Sequence, residues 1–64
     1  MVKNSIEKER LKAGLTQVEL AEKVGVTRQT ISAIEGGDYT PSVALALKLA
    51  KTFKASVEEL FALS

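Results

Sequence analysis

Apolar side chains recur along this chain at the spacing of an α-helix, in short blocks that end at glycine and restart at serine or threonine. The clearest blocks lie side by side in residues 16–37, TQVELAEKVGVTRQTISAIEGG. Leu20, Ala21 and Val24 share one helical face, and Thr16 with Glu19 three residues later forms a capping box at its start. Gly25 then stands where a helix end needs a left-handed residue, a conformation that a Cβ makes costly. Val26 supplies the apolar contact that closes such an end. Thr27 caps the next helix, Ile31 and Ile34 give it a buried stripe, and Gly36 and Gly37 finish it. Two helices joined by a tight turn are expected.

The same rules extend to the rest of the chain. Asn4 or Ser5 can cap a first helix that runs to about residue 13. Ile6, Arg10 and Ala13 fall on one face of it, so an arginine interrupts an apolar stripe. Taken alone, Arg10 reads as a side chain that lays its stem on the core and keeps its charge in water. Gly14 ends this helix, and all four glycines (14, 25, 36 and 37) thus stand at expected helix ends. Beyond the loop of Asp38, Tyr39 and Thr40, Pro41 suits the first turn of a fourth helix over 42–53. Its expected stripe is Val43, Ala46, Leu49, Ala50 and Phe53, with Leu45 and Leu47 on the flanks. A second capping box, Ser56 to Glu59, opens a last short helix, followed by Leu60, Phe61 and Leu63. Residues 1–3 form either a frayed end or an extended arm, and an arm would pair as a strand with the C-terminal end. The class is all-α: five helices in one domain, 1–64.

Composition narrows the function. A 64-residue chain has a small core and buries roughly 60% of its extended surface. It holds no cysteine, so disulfides are excluded and a reducing compartment is permitted. No apolar run approaches the roughly 20 residues of a membrane span, and MVKNSIEKER is too charged for a signal peptide, so a cytoplasmic location is expected. With neither histidine nor cysteine, the usual general bases, thiol nucleophiles and soft-metal ligands are missing. The carboxylates are accounted for as caps, first-turn charges and solvated faces, and adjacent Glu58 and Glu59 point to different sides of a helix. No enzyme, cofactor or metal site is expected. Nine basic and eight acidic residues leave a net charge of +1, a poor electrostatic footprint for nucleic acid. Any such footprint must come from where the charges sit.

The run Leu15-Thr16-Gln17-x-Glu19-Leu20-Ala21-x-x-Val24-Gly25-Val26-Thr27-x-x-Thr30-Ile31-Ser32-x-Ile34-Glu35 resembles the DNA-binding helix-turn-helix of the Cro/repressor (Xre-like) regulators. Arg10 ahead of it and Tyr39-Thr40-Pro41-Ser42 behind strengthen the resemblance, which extends from about Asn4 to Phe61. It implies a five-helix, lambda-repressor-like domain with the helix-turn-helix at helices 2 and 3. It also implies a transcriptional repressor that binds a palindromic operator in double-stranded DNA as a homodimer. In that family Arg10 would pair with Glu35 and tie the first helix to the third. Two positions depart from the pattern. Lys54-Ala55 stands where relatives carry glycine and a β-branched residue, and a left-handed Lys54 costs roughly 1 kcal/mol relative to glycine. Gly36 replaces a side-chain donor such as asparagine.

In this motif the second helix enters the major groove. Its positions opposite Ile31 and Ile34 are Thr27, Arg28, Gln29, Ser32 and Ala33. Arg28 can contact guanine and Gln29 adenine through paired hydrogen bonds, and Ala33 with the Thr27 methyl can meet thymine methyls. Gln17, in the first turn of the preceding helix, is placed for a phosphate, with Thr30 next. A polar run of this kind also fits a plain solvent-facing helix. The coincidence of the Thr27 cap, the Gly25 turn and the family run favours DNA readout. The rival is a protein-interaction module such as an antitoxin or antidote partner, suggested by low net charge and spare Leu45, Leu47, Leu60, Phe61 and Leu63. One recognition helix reads few base pairs, so a symmetric dimer through the C-terminal apolar residues is expected. No small-molecule ligand is evident.

Overall fold

In the computed structural model, which describes residues 2–63, the elements run β1 (Val2–Asn4), α1 (Ile6–Lys12), α2 (Gln17–Val24), α3 (Arg28–Glu35), α4 (Val43–Phe53), α5 (Val57–Leu60) and β2 (Phe61–Leu63). All five expected helices are present. Those from α2 onward each begin at a serine or threonine, Thr16, Thr27, Ser42 or Ser56, whose hydroxyl accepts a backbone N–H three residues on. Both capping boxes close. The Thr16 N–H donates to Glu19 Oε1 at 2.8 Å and the Glu19 N–H donates to Thr16 Oγ1 at 3.0 Å, with the Ser56–Glu59 pair matching at 2.8 and 3.1 Å. These backbone donors, and then the cap hydroxyls, hold both carboxyls below their ordinary pKa.

The start of α1 works differently. The Ser5 hydroxyl makes no cap; instead Asn4 Oδ1 accepts the Ile6 N–H at 3.1 Å while Asn4 Nδ2 donates to the Ile34 carbonyl at 2.7 Å. One side chain thus joins the beginning of α1 to the end of α3. Gly25 closes α2 at φ 75°, where the Val26 N–H reaches back to the Ala21 carbonyl at 3.0 Å. Lys54 does the same for α4 without glycine's freedom: its φ is 53°, and the Ala55 N–H reaches the Ala50 carbonyl at 3.0 Å.

The core collects Ile6 from α1, Leu20, Ala21 and Val24 from α2, Ile31 and Ile34 from α3, Leu45, Leu49 and Ala50 from α4, and Leu60 from α5. Leu15, Val26, Phe53, Ala55, Val57 and Phe61 pack against it. The face of α4 is rotated from the expected one: Leu45 joins Ala46, Leu49 and Ala50 inside, and Val43 is 78% exposed. Turning Leu45 and Leu49 inward carries Val43 and Leu47, four residues apart, to the outer side of the same helix. Ala13 is exposed as well, because it is the last, capping residue of α1 and not part of its buried stripe.

β1 and β2 pair antiparallel, with Val2 opposite Leu63, Lys3 opposite Ala62 and Asn4 opposite Phe61. The N-terminal residues therefore act as an extended arm paired to the C-terminal end; Met1, included in that expectation, lies outside the described residues. The Ser5 N–H continues the pairing to the Leu60 carbonyl at 2.9 Å. Among the described residues no helix is long and apolar enough to cross a membrane.

Candidate nucleic-acid interface

Ile31 and Ile34 fix the rotation of α3 by burying completely. At 100° per residue this sets Gln29 opposite the core, Arg28 and Ser32 on one shoulder, and Thr30 and Ala33 on the other. Arg28, Gln29 and Ser32 are exposed, Thr30 and Ala33 half-buried, and Thr27 exposed at the cap. The six candidates of this helix therefore share one surface. Thr27 Oγ1 accepts the Thr30 N–H at 3.2 Å and lies 3.0 Å from Thr30 Oγ1, so one hydroxyl donates to the other and one hydroxyl hydrogen stays available to a ligand.

Gln17, the seventh candidate, is the first residue of α2, and both ends of its amide are occupied within the protein. Gln17 Nε2 donates to Glu35 Oε1 at 3.0 Å, and Gln17 Oε1 accepts Arg28 Nη1 at 3.2 Å. Glu35 is in turn held by Arg10, whose Nε donates to Oε2 at 2.7 Å and whose Nη2 reaches Oε1 at 3.4 Å. Arg10 Nη1 also donates to the Leu15 carbonyl at 2.8 Å. With side-chain exposures of 10% for Arg10 and 5% for Glu35, the pair is well buried. The Glu35 hydrogen bond, opposed by desolvation, raises the Arg10 pKa further above its ordinary value. Arg10 is not a side chain resting its stem on the core.

A hydrogen-bonded line thus runs from a buried ion pair to the exposed arginine of α3. It spans α1, α2 and α3, and no local sequence pattern signals it: Gln17 shows as a first-turn polar residue, and its partners are 11 and 18 positions away. Arg28 is the single cation of α3, so its placement sets most of the charge on this surface. Gly36 is right-handed at φ −79°; a Cβ there would meet Asp38 Oδ2 and the Ser32 carbonyl, each at 3.4 Å. Tyr39, in the loop after α3, comes against the same face, although in the sequence it stands out only as part of the loop run Tyr39-Thr40-Pro41-Ser42 that strengthens the family resemblance.

Comparison with known proteins places this arrangement. The helix-turn-helix family model matches residues 6–60. The uncharacterised HTH-type transcriptional regulator YgzD of Bacillus subtilis is 50% identical over 60 residues, covering 94% of this chain and 91% of its own. An uncharacterised HTH-type transcriptional regulator of Archaeoglobus fulgidus is 56% identical over 52 residues, covering 81% and 74%. Among solved structures, a candidate DNA-binding protein from Bacteroides fragilis superposes with a TM-score of 0.85 at 26% identity, over 97% of this chain and 100% of that one. A chain of the SinR protein/SinI protein complex superposes with a TM-score of 0.75 at 33% identity, over 83% of this chain and 52% of that one. The five helices have the lambda-repressor-like arrangement, with the helix-turn-helix at α2 and α3.

Proposed function

We propose that this chain, which belongs to the Xre-like helix-turn-helix family of DNA-binding transcriptional regulators, is a sequence-specific repressor that binds a palindromic operator as a symmetric dimer. It acts as one domain, 1–64, in the cytoplasm, with α3 in the major groove. Arg28 and Gln29 read base edges, Thr27, Ser32 and Ala33 border them, and Thr30 meets a phosphate. Gln17 positions Arg28 and presents its remaining amide hydrogen to the backbone of the duplex. The observation that carries this reading is the line Arg10–Glu35–Gln17–Arg28. A long, flexible cation loses conformational entropy when it is fixed, and the Gln17 hydrogen bond meets part of that cost before DNA arrives.

Dimerisation is supported by a second surface, built from α4, α5 and β2. An apolar cleft of about 260 Å³ is lined chiefly by Pro41, Val43, Ala46, Val57, Phe61 and Leu63. Leu63 at its edge is 88% exposed. A twofold pair would cover these side chains and set two α3 helices about 34 Å apart, one turn of duplex. The same cleft supports a second reading, a protein partner such as a toxin or an antidote, in line with a structural neighbour that is a SinR/SinI complex chain. The two readings are compatible. Catalysis, cofactors and membranes play no part in either.

Selection of bound duplexes from a random pool tests the function. The expected product is an inverted repeat whose half-site centres lie about 10 base pairs apart. A pool that stays random after repeated rounds contradicts it.

A further inference from the structure

Tyr39 stands on the shoulder of α3 that Gln17 and Arg28 leave free. Gly37 takes φ 81° and the Asp38 N–H donates to the Ala33 carbonyl at 2.9 Å, so the chain folds back along the helix instead of leaving it. The result is an open notch of about 250 Å³ lined by Thr27, Gln29, Thr30, Ala33 and Tyr39. Tyr39 is 46% exposed, whereas Phe53 and Phe61 are half-buried against the core. The notch exists because position 33 is alanine; a longer side chain would fill it.

The Thr27 and Thr30 hydroxyls are engaged with each other and with the Thr30 N–H. The wall of the notch is chiefly apolar, from Thr27, Thr30, Ala33 and the ring of Tyr39, and Gln29 supplies its polar part. In the major groove the base pairs present one apolar group, the C5-methyl of thymine. We infer that this notch is a thymine-methyl pocket and that Tyr39, through its ring, determines specificity for thymine on this shoulder of α3. The inference rests on α3 being the groove helix.

The test is fluorescence anisotropy on the selected duplex and on duplexes in which each thymine in turn becomes deoxyuridine, which removes only the methyl. For the wild type, one such replacement per half-site should weaken binding about fourfold, the worth of one buried methyl group. Tyr39→Ala and Ala33→Leu should abolish that discrimination, and Tyr39→Phe should keep it. Thermal melts check that these variants fold, since neither residue belongs to the core. Equal affinity for thymine and deoxyuridine at every position overturns the inference. So does a Tyr39→Ala protein that discriminates as the wild type does. Loss of affinity in Tyr39→Phe equal to that in Tyr39→Ala, with the methyl effect intact, also overturns it by making the hydroxyl on a phosphate the true contact. A wild type with no sequence preference removes the groove reading itself, and this inference with it.

Discussion

At the scale of single residues, Arg10 and Glu35 show how one buried contact links stability to the recognition surface. Neither side chain would be stable alone in this environment, because an unpaired buried charge costs several kcal/mol. The pair is 2.7 Å apart at its shortest, and removing one partner leaves the other stranded. Arg10→Met is therefore expected to destabilise the fold by about 3–5 kcal/mol and to cost clearly less in a Glu35→Gln background. Urea denaturation of the four proteins in that double-mutant cycle measures the coupling; additive effects would mean the two side chains are independent. In the sequence, Arg10 is conspicuous only as a polar residue in an apolar stripe, and the family resemblance alone points to its partner. The role of Gln17 is set by residues far from it in the chain. Its local pattern fits a phosphate contact, but the fold brings Glu35 to one end of its amide and Arg28 to the other. Contacts made across a turn between different helices leave no period in the chain.

At the scale of elements, caps and turns carried most of the legible information. Thr16, Thr27, Ser42 and Ser56 start helices where their hydroxyls predict, since a cap is a local interaction between residues three apart. The rotation of a helix is less local. α4 has apolar residues on most of its circumference, so its pattern permits Val43 inside or Leu45 inside, and packing against the other helices selects Leu45. Asn4 was likewise visible as a cap, but not as a donor to the end of α3. The turn after α4 carries the clearest element-level prediction. Lys54 adopts a left-handed φ of 53°, which glycine takes without the steric penalty of a Cβ. Lys54→Gly should stabilise the protein by about 0.5–1 kcal/mol, with Tm rising about 4–8 °C per kcal/mol for a domain of this size. A lowered Tm would show that the lysine side chain contributes more than its backbone conformation costs.

For the whole molecule, two surfaces divide the work: α3 with its buttress from α2, and the apolar cleft of α4, α5 and β2. The surplus of C-terminal apolar residues was apparent in the sequence. The shape that joins them was not, because it depends on Val43 turning outward and on β2 pairing with β1. Each apolar side chain buried by a second copy contributes roughly 1.5–3 kcal/mol before the cost of association. Sedimentation equilibrium at micromolar protein should accordingly find a dimer, and Leu63→Glu should shift it to monomer without lowering helix content. A wild type that stays monomeric and still binds a single half-site with full affinity would overturn the dimer. Sequence-specific recognition by α3 depends on Arg28, its single cation. Binding of wild type and Arg28→Ala is to be compared on the selected duplex and on a random one of equal length. Arg28→Ala should lose about 1–3 kcal/mol on the selected duplex and relax preference at one or two base pairs, with little change on the random duplex beyond one lost charge. Equal affinity of both proteins for both duplexes would contradict it.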